Sequence, residues 1–97
     1  MPVDDIKTSG AGAVAPQEHI VFTDLDGHEG VLVDLNTRKY YQLNETASLI
    51  WRGLEKRLPI SLIAKEMVER YDVTLDQATS SIETAVRSFE KQNLLVP

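Results

Sequence analysis

Short segments of branched and aromatic residues in the first half of the chain predict three β-strands, at residues 20–22, 31–33 and 40–43. The connections between them have the length of hairpin loops. The first contains two glycines, Gly27 and Gly30, and the second is the polar segment 36–38. Successive hairpins form an antiparallel sheet, so we expect the first and third strands to be edges with unpaired backbone groups.

After Leu43 the hydrophobic period changes from two residues to about 3.6, which predicts helices. Asn44 is a suitable N-cap for a first helix that ends near Leu54, and a second helix is expected to begin near Pro59. Each has one apolar stripe. The stripe positions are Ala47, Ile50, Trp51 and Leu54 in the first helix, and Ile60, Ile63, Ala64, Met67, Val68 and Tyr71 in the second.

A capping box predicts the start of a third helix, because Thr74 and Gln77 can each accept a hydrogen bond from the other's backbone N–H. Asn93 is a suitable left-handed stop, after which Leu94 and Leu95 can pack back on the core. The predicted buried stripe is Leu75, Ala78, Ile82, Ala85, Val86 and Phe89. Three strands followed by three helices predict an α+β domain in which the helices cover one face of the sheet.

The charged residues of this third helix all fall on one flank. At 100° per residue, one flank is uncharged and the other carries every charge; the uncharged flank consists of Gln77, Ala78, Ser81, Thr84, Ala85, Ser88 and Gln92. Small uncharged side chains beside an apolar stripe let another chain approach closely. The pattern by itself fits a groove wall and a solvated face equally well.

Length, charge and cysteine content argue against several classes of function for this chain. The chain has 97 residues, a formal net charge of −5 and no cysteine. A chain this short is below the roughly 150 residues of a typical catalytic domain. Without cysteine there is no disulfide framework and no thiolate zinc site, so the cytoplasm is the expected location. The acidic balance disfavours binding to nucleic-acid phosphates.

Residues 9–16 (SGAGAVAP) are a run of small residues, and we expect residues 1–18 to be a disordered tail ahead of a single domain at 19–97. Asp4 and Asp5 occupy the place of the basic region of a signal peptide, and no apolar region follows them. No apolar run approaches the ~18 residues that span a bilayer, so no membrane partner is expected.

Two motifs in residues 20–35 suggest chemistry but are incomplete. Segment 20–27 (IVFTDLDG) is similar to the first motif of haloacid-dehalogenase-type phosphatases, yet His28 replaces the usual Thr and the remaining motifs are missing. As a calcium loop counted from Asp24, it has Glu29 where glycine is needed and Leu35 where glutamate is needed. We interpret the segment as a hairpin turn.

No catalytic or metal site emerges from the sequence. The two histidines, His19 and His28, lack a third ligand at a suitable spacing, so no metal or other cofactor is expected. Trp51 belongs to an apolar stripe and is expected in the core. Tyr40 and Tyr41 are adjacent and must point to opposite faces of the third strand, so one of them is exposed on a second surface.

From about residue 19 to residue 96 the chain resembles the PqqD family, the small peptide-binding proteins also known as RiPP recognition elements. The resemblance rests on segment 31–47 (VLVDLNTRKYYQLNETA), on Ile50-Trp51 and Ile63-Ala64, on 70–73 (RYDV) and on Leu94-Leu95. Its most specific part is the strand-to-helix junction 41–47. The sequence departs from the family at Ser81, where members often carry an acidic residue.

The resemblance implies a winged-helix-like domain that is not an enzyme. Family members bind the leader segment of a ribosomally made precursor peptide and present it to a modifying enzyme, such as a radical-SAM protein or a leader peptidase. The leader adds as a strand to the third β-strand and lies against the third helix. The matching positions in this chain are Lys39, Tyr40, Tyr41, Gln42, Leu43, Ala78, Ser81, Ile82, Ala85 and Ser88.

Several questions stay open at this point. The pathway could lead to a lasso peptide, a thioether peptide, a quinone cofactor or another product. An alternative function is a winged-helix regulator that binds nucleic acid, although the charged residues of the third helix sum to −1. A third possibility is a domain that only forms oligomers through its exposed strand edge.

Overall fold

The computed structural model of the protein describes residues 14–96, and its elements follow the predicted order of three strands and then three helices. The strands are β1 (Ile20–Asp24), β2 (Gly30–Asp34) and β3 (Tyr40–Leu43); the helices are α1 (Glu45–Glu55), α2 (Ile60–Arg70) and α3 (Leu75–Lys91). The predicted α+β class is confirmed.

The sheet is antiparallel in the order β1-β2-β3, so β1 and β3 are its edges. Leu32 lies at the centre of β2, opposite Phe22 on one neighbour and Tyr41 on the other, and it is fully buried. Its neighbours Val31 and Val33 point to the other face and are only half-buried. This alternation places one face of the sheet against the helices and leaves the other to solvent.

Trp51 lies at the centre of the core, as predicted. Its side chain is fully buried, and its ring meets Phe89 of α3 edge-on, with centroids 5.2 Å apart and an interplanar angle of 87°. Such edge-to-face pairs add about 0.5–1.5 kcal/mol to the burial of the rings. Trp51 and Leu32 belong to the same cluster, so α1 and α3 are packed on the sheet through one continuous core.

The helix boundaries follow the predicted capping signals. Asn44 accepts a hydrogen bond from the Ala47 N–H at 2.9 Å at the start of α1. Thr74 and Gln77 form the reciprocal capping box of α3. Asn93 has the expected left-handed backbone, with φ of 60°. Leu94 and Leu95 are buried after it, as predicted.

Two predicted stripe residues are not in the core. Val68 is 39% exposed and Leu75 is 58% exposed, and both border a shallow hollow on the outer side of the α2–α3 pair. The predicted stripes are wider than the surface that the other helices and the sheet cover. Burial on α2 is therefore confined to Ile63, Ala64 and Met67.

Most of the predicted disordered tail, residues 1–13, lies outside the described residues. The rest of it, residues 14–18, pairs with the C-terminal segment through residues 15–17. Pro16 forms an isolated bridge with Leu95, and the Gln17 N–H donates to the Leu94 carbonyl at 3.0 Å. The packed part of the chain therefore extends back to Val14, because backbone pairing holds a segment whose small side chains gave no signal of packing.

The acidic segment between β1 and β2 is a turn, as interpreted from the sequence. One Asp24 carboxylate oxygen accepts from the Gly27 N–H at 2.7 Å, and one Asp26 oxygen accepts from the N–H groups of His28 and Glu29 at 2.9 Å. The hydrogen bonds from Glu29 and His28 lower the pKa of Asp26 below its ordinary value. Gly27 has φ of 88°, which glycine adopts without strain.

Close packing of α1 on α2 requires Gly53. A Cβ at this position would lie 2.7 Å from Cγ1 and 2.8 Å from Cδ1 of Ile63. We predict that Gly53→Ala lowers the free energy of unfolding by about 1 kcal/mol, because overpacking of about 1–3 kcal/mol exceeds the helix-propensity gain of about 1 kcal/mol. Urea unfolding measures the change. The loss should shrink in an Ile63→Val background, and a more stable Gly53→Ala protein would contradict the prediction.

Lowering the pH should destabilise the folded protein, because the Asp34 carboxylate becomes protonated. Burial raises the pKa of this carboxyl, but hydrogen bonds from the N–H groups of Thr37 and Asn36 outweigh it, and the pKa lies below its ordinary value. A lowered pKa in the folded state stabilises the protein above about pH 4 and loses that contribution as the pH falls further. Between pH 7 and pH 3, the free energy of unfolding measured in urea should fall less for Asp34→Asn than for the unaltered protein. Identical slopes in both proteins would contradict this.

Candidate functional site

The outer edge of β3 carries unpaired backbone groups. No other strand among residues 14–96 pairs with this edge. The Asp34 N–H of β2 donates to the Lys39 carbonyl at 2.9 Å, and the direction of hydrogen bonding alternates along an antiparallel strand. Tyr41 and Leu43 therefore direct their backbone groups to β2. Tyr40 and Gln42 direct theirs away from the sheet.

The side chains of β3 divide between two surfaces. Tyr40 is 73% exposed on the outer face of the sheet, whereas Tyr41 is half-buried on the helix side, as the alternation predicted. Gln42 is exposed and Leu43 is buried in the core. The helix side of the edge thus presents Tyr41, with Leu43 beneath it.

A groove runs between β3, the start of α1 and one flank of α3. Its narrow end has a volume of about 400 Å³ and is lined by Tyr41, Gln42, Leu43, Asn44, Ala47, Ala85, Ser88, Phe89 and Gln92. Its wide end, about 790 Å³, is lined by Asn44, Thr46, Ala47, Ile50, Asp72, Val73, Gln77, Ser80, Ser81, Thr84, Ala85 and Ser88. Asn44, Ala47, Ala85 and Ser88 belong to both ends, so the groove is continuous.

The structure divides the predicted contact residues of α3 into two groups. Ser81, Ala85 and Ser88 line the groove. Ala78 and Ile82 are fully buried in the core and do not line it. The helix steps by about 100° per residue, so the uncharged flank overlaps the buried stripe, and the sequence could not separate the two. Ala78 and Ile82 support the groove from beneath.

Several residues that line the groove were not predicted to do so from the sequence. Among them are Asn44, Thr46, Ala47, Asp72, Val73 and Ser80. The first three lie at the start of α1, where the sequence indicated only a cap and a core stripe. Asp72 and Val73 lie in the connection from α2 to α3, far in sequence from β3. Only the packing of α3 beside α1 brings these two segments to one groove.

The groove is almost uncharged. Of the lining residues that the structure describes at both ends, Asp72 alone carries a charge. The charged residues of α3 do not line the groove; they are Asp76, Glu83, Arg87, Glu90 and Lys91, and all are exposed. Most of the α3 side consists of short side chains that leave room for another backbone to approach, namely Ser80, Ser81, Thr84, Ala85 and Ser88.

The connection between α2 and α3 is held at Tyr71. Its hydroxyl donates to a carboxylate oxygen of Glu45 on α1 at 3.1 Å, and its N–H donates to the Met67 carbonyl at 2.8 Å. Burial raises the pKa of Tyr71, and the hydrogen bond to Glu45 raises it further because it favours the neutral phenol. This hydrogen bond links the wide end of the groove to the start of α1.

The histidines take part in local contacts. His28 Nδ1 lies 3.5 Å from Glu45, and His19 Nε2 lies 3.7 Å from Asp34. No group of three or more potential metal ligands occurs within residues 14–96. In the same part of the chain, none of the helices has the length and apolar character needed to cross a membrane.

The fold is similar to two solved structures of peptide complexes. One is lasso peptide synthetase B1 complexed with the leader peptide: the TM-score is 0.79 with 26% identity, over 89% of this chain and all of the other. The second is TbiB1 in complex with the TbiA(beta) leader peptide, with a TM-score of 0.77 and 25% identity over 84% of this chain and 93% of the other.

No curated protein sequence matches the chain significantly. A family model does match it. The match is to coenzyme PQQ synthesis protein D and covers residues 29–95, from the end of the first hairpin turn to the C-terminal segment that closes the core. This range includes β2, β3 and all three helices, and with them every residue that lines the groove. The chain therefore belongs to the PqqD family.

Proposed function

We propose that the protein is a non-catalytic adaptor that binds the leader segment of a ribosomally made precursor peptide by strand addition. The observation that carries this proposal is the position of the free β3 edge beside an uncharged groove. Membership of the PqqD family and similarity to two leader-peptide complexes support it. The leader would extend the sheet as a fourth strand, with alternate side chains directed into the groove.

Backbone pairing supplies only part of the affinity. The outward N–H and C=O groups of Tyr40 and Gln42 provide four hydrogen-bonding groups, each worth about 0.5–1.5 kcal/mol net. Micromolar binding requires about 8 kcal/mol after the cost of association. Apolar leader side chains must therefore bury surface against Tyr41, Ala47 and Ala85, at about 25 cal/mol per Å².

The same geometry explains the short side chains of α3. A strand added to β3 has its helix-side residues between the sheet edge and α3. Ser81, Ala85 and Ser88 leave space there, whereas longer side chains would occupy it. These three, with Lys39, Tyr40, Tyr41, Gln42 and Leu43, form the peptide-binding surface in this proposal, and Ala78 and Ile82 support it from the core.

The second partner is proposed to be the enzyme that modifies the precursor. A radical-SAM protein or a leader peptidase suits this role, in a pathway to a lasso peptide or to a quinone cofactor. The adaptor itself would need no cofactor, because holding a peptide requires neither redox nor acid–base chemistry. It would act in the cytoplasm, on the newly made peptide.

Electrostatics argue against the alternative of nucleic-acid recognition. A recognition helix needs cationic side chains close to phosphates. Here the exposed flank of α3 has more acidic than basic residues, and its other flank lines the groove.

Amide hydrogen exchange tests the strand register. In the free protein the N–H groups of Tyr40 and Gln42 should exchange rapidly, and those of Tyr41 and Leu43 slowly, because only the latter donate to β2. Adding the leader part of a precursor peptide encoded beside the gene should slow Tyr40 and Gln42 and leave the other two unchanged. NMR measures all four. Binding without protection of Tyr40 and Gln42 would overturn strand addition.

A bulky side chain in the groove should block the leader. Ser88 is exposed and lines both ends of the groove, so we predict that Ser88→Tyr weakens leader binding about tenfold or more without unfolding the protein. Glu83→Tyr is the matched control, since it adds the same side chain to the exposed, charged flank of α3. Calorimetry measures both affinities. Equal binding by the two variants would place the leader elsewhere.

A further inference from the structure

Strand addition to β3 does not by itself fix which leader residues lie in the groove. Only Tyr40 and Gln42 direct backbone groups to the open edge. Every residue of an extended peptide except proline offers the same backbone groups. A slip of two residues therefore restores the same hydrogen bonds and directs the side chains to the same two faces. A side-chain contact must therefore set the register of a bound leader.

The groove is longer than the strand that borders it. It follows α3 from Gln77 to Gln92, a distance of about 22 Å at 1.5 Å per residue. An extended peptide of about seven residues has this length at ~3.3 Å per residue, and the four residues of β3 match about half of it. The remaining leader residues would pass Asn44 and lie in the wide end of the groove.

Asp72 lies where its side chain can contact one of these leader residues. Its side chain is exposed, and it lines the wide end as the one charged group among the described lining residues. Its neighbours Tyr71 and Val73 are half-buried against the core, and the Tyr71 hydroxyl also donates a hydrogen bond to Glu45. The carboxylate therefore projects from a backbone that is held on both sides.

We infer that Asp72 pairs with a lysine or arginine side chain of the bound leader and thereby sets the leader's register. The inference rests on the proposed function and specifies its substrate as a leader with a basic residue at one position. The Asp72 carboxylate would also disfavour an acidic leader residue at the same place, which sharpens the selection. The effect on affinity should be modest because Asp72 is exposed.

Selection from random peptides tests the inference even while the natural leader is unidentified. A phage-displayed library of random 12-residue peptides is selected on the unaltered protein, on Asp72→Asn and on Asp72→Lys. We expect Lys or Arg at one fixed position on the unaltered protein, no charge preference there on Asp72→Asn, and Asp or Glu there on Asp72→Lys. A selected basic peptide should bind Asp72→Asn about twofold to fivefold more weakly.

Asp76→Asn is the matched control, because it removes one negative charge from the same end of α3 at a residue that does not line the groove. It should keep the preference for a basic residue. Peptides that protect the Tyr40 and Gln42 amides but show the same charge preference on all four proteins would overturn the role of Asp72 and leave leader binding intact. If no selected peptide protects these amides, the proposed function fails as well.

Discussion

The pairing of β3 with β2 determines most of the candidate site. Leu32 and Leu43 must be buried on the helix side of the sheet, and this requirement fixes the register of the two strands. The same register directs Tyr41 toward the groove and Tyr40 to the outer face. It also leaves the backbone groups of Tyr40 and Gln42 without a partner in the sheet. A slip of one residue would exchange all of these roles.

Two adjacent strips of the α3 surface have different roles: one packs in the core, and the other lines the groove. Phe89 packs on Trp51, and Ala78 and Ile82 are fully buried, so the helix is held firmly against the rest of the domain. The next strip lines the groove with short side chains, except for Gln77 and Gln92 at its two ends. A helix held in this way keeps the groove open at a fixed width, which reduces the ordering cost when a peptide enters.

The distribution of carboxylates is consistent with a binding module. Asp26 accepts hydrogen bonds from the backbone of the first hairpin turn, and Asp34 does the same in the second. Both have pKa values below the ordinary value, so both are ionised near neutral pH and neither is held as a proton donor. The groove itself contains one carboxylate, Asp72, which suits recognition of a peptide side chain more than catalysis.

The sequence by itself determined the elements and their order, because hydrophobic periods and caps are local signals. Asn44, the Thr74–Gln77 box and Asn93 each act within one turn of helix, and each was predicted correctly. The exposure of one of the two adjacent tyrosines also followed from strand alternation alone. Tertiary structure decided the rest. Whether Ala78 lines the groove or the core, and whether Asp72 lies near Ser81, depends on how α3 is placed beside α1 and β3. That placement results from contacts between residues far apart in the sequence, and the local hydrophobic pattern carries no information about such contacts.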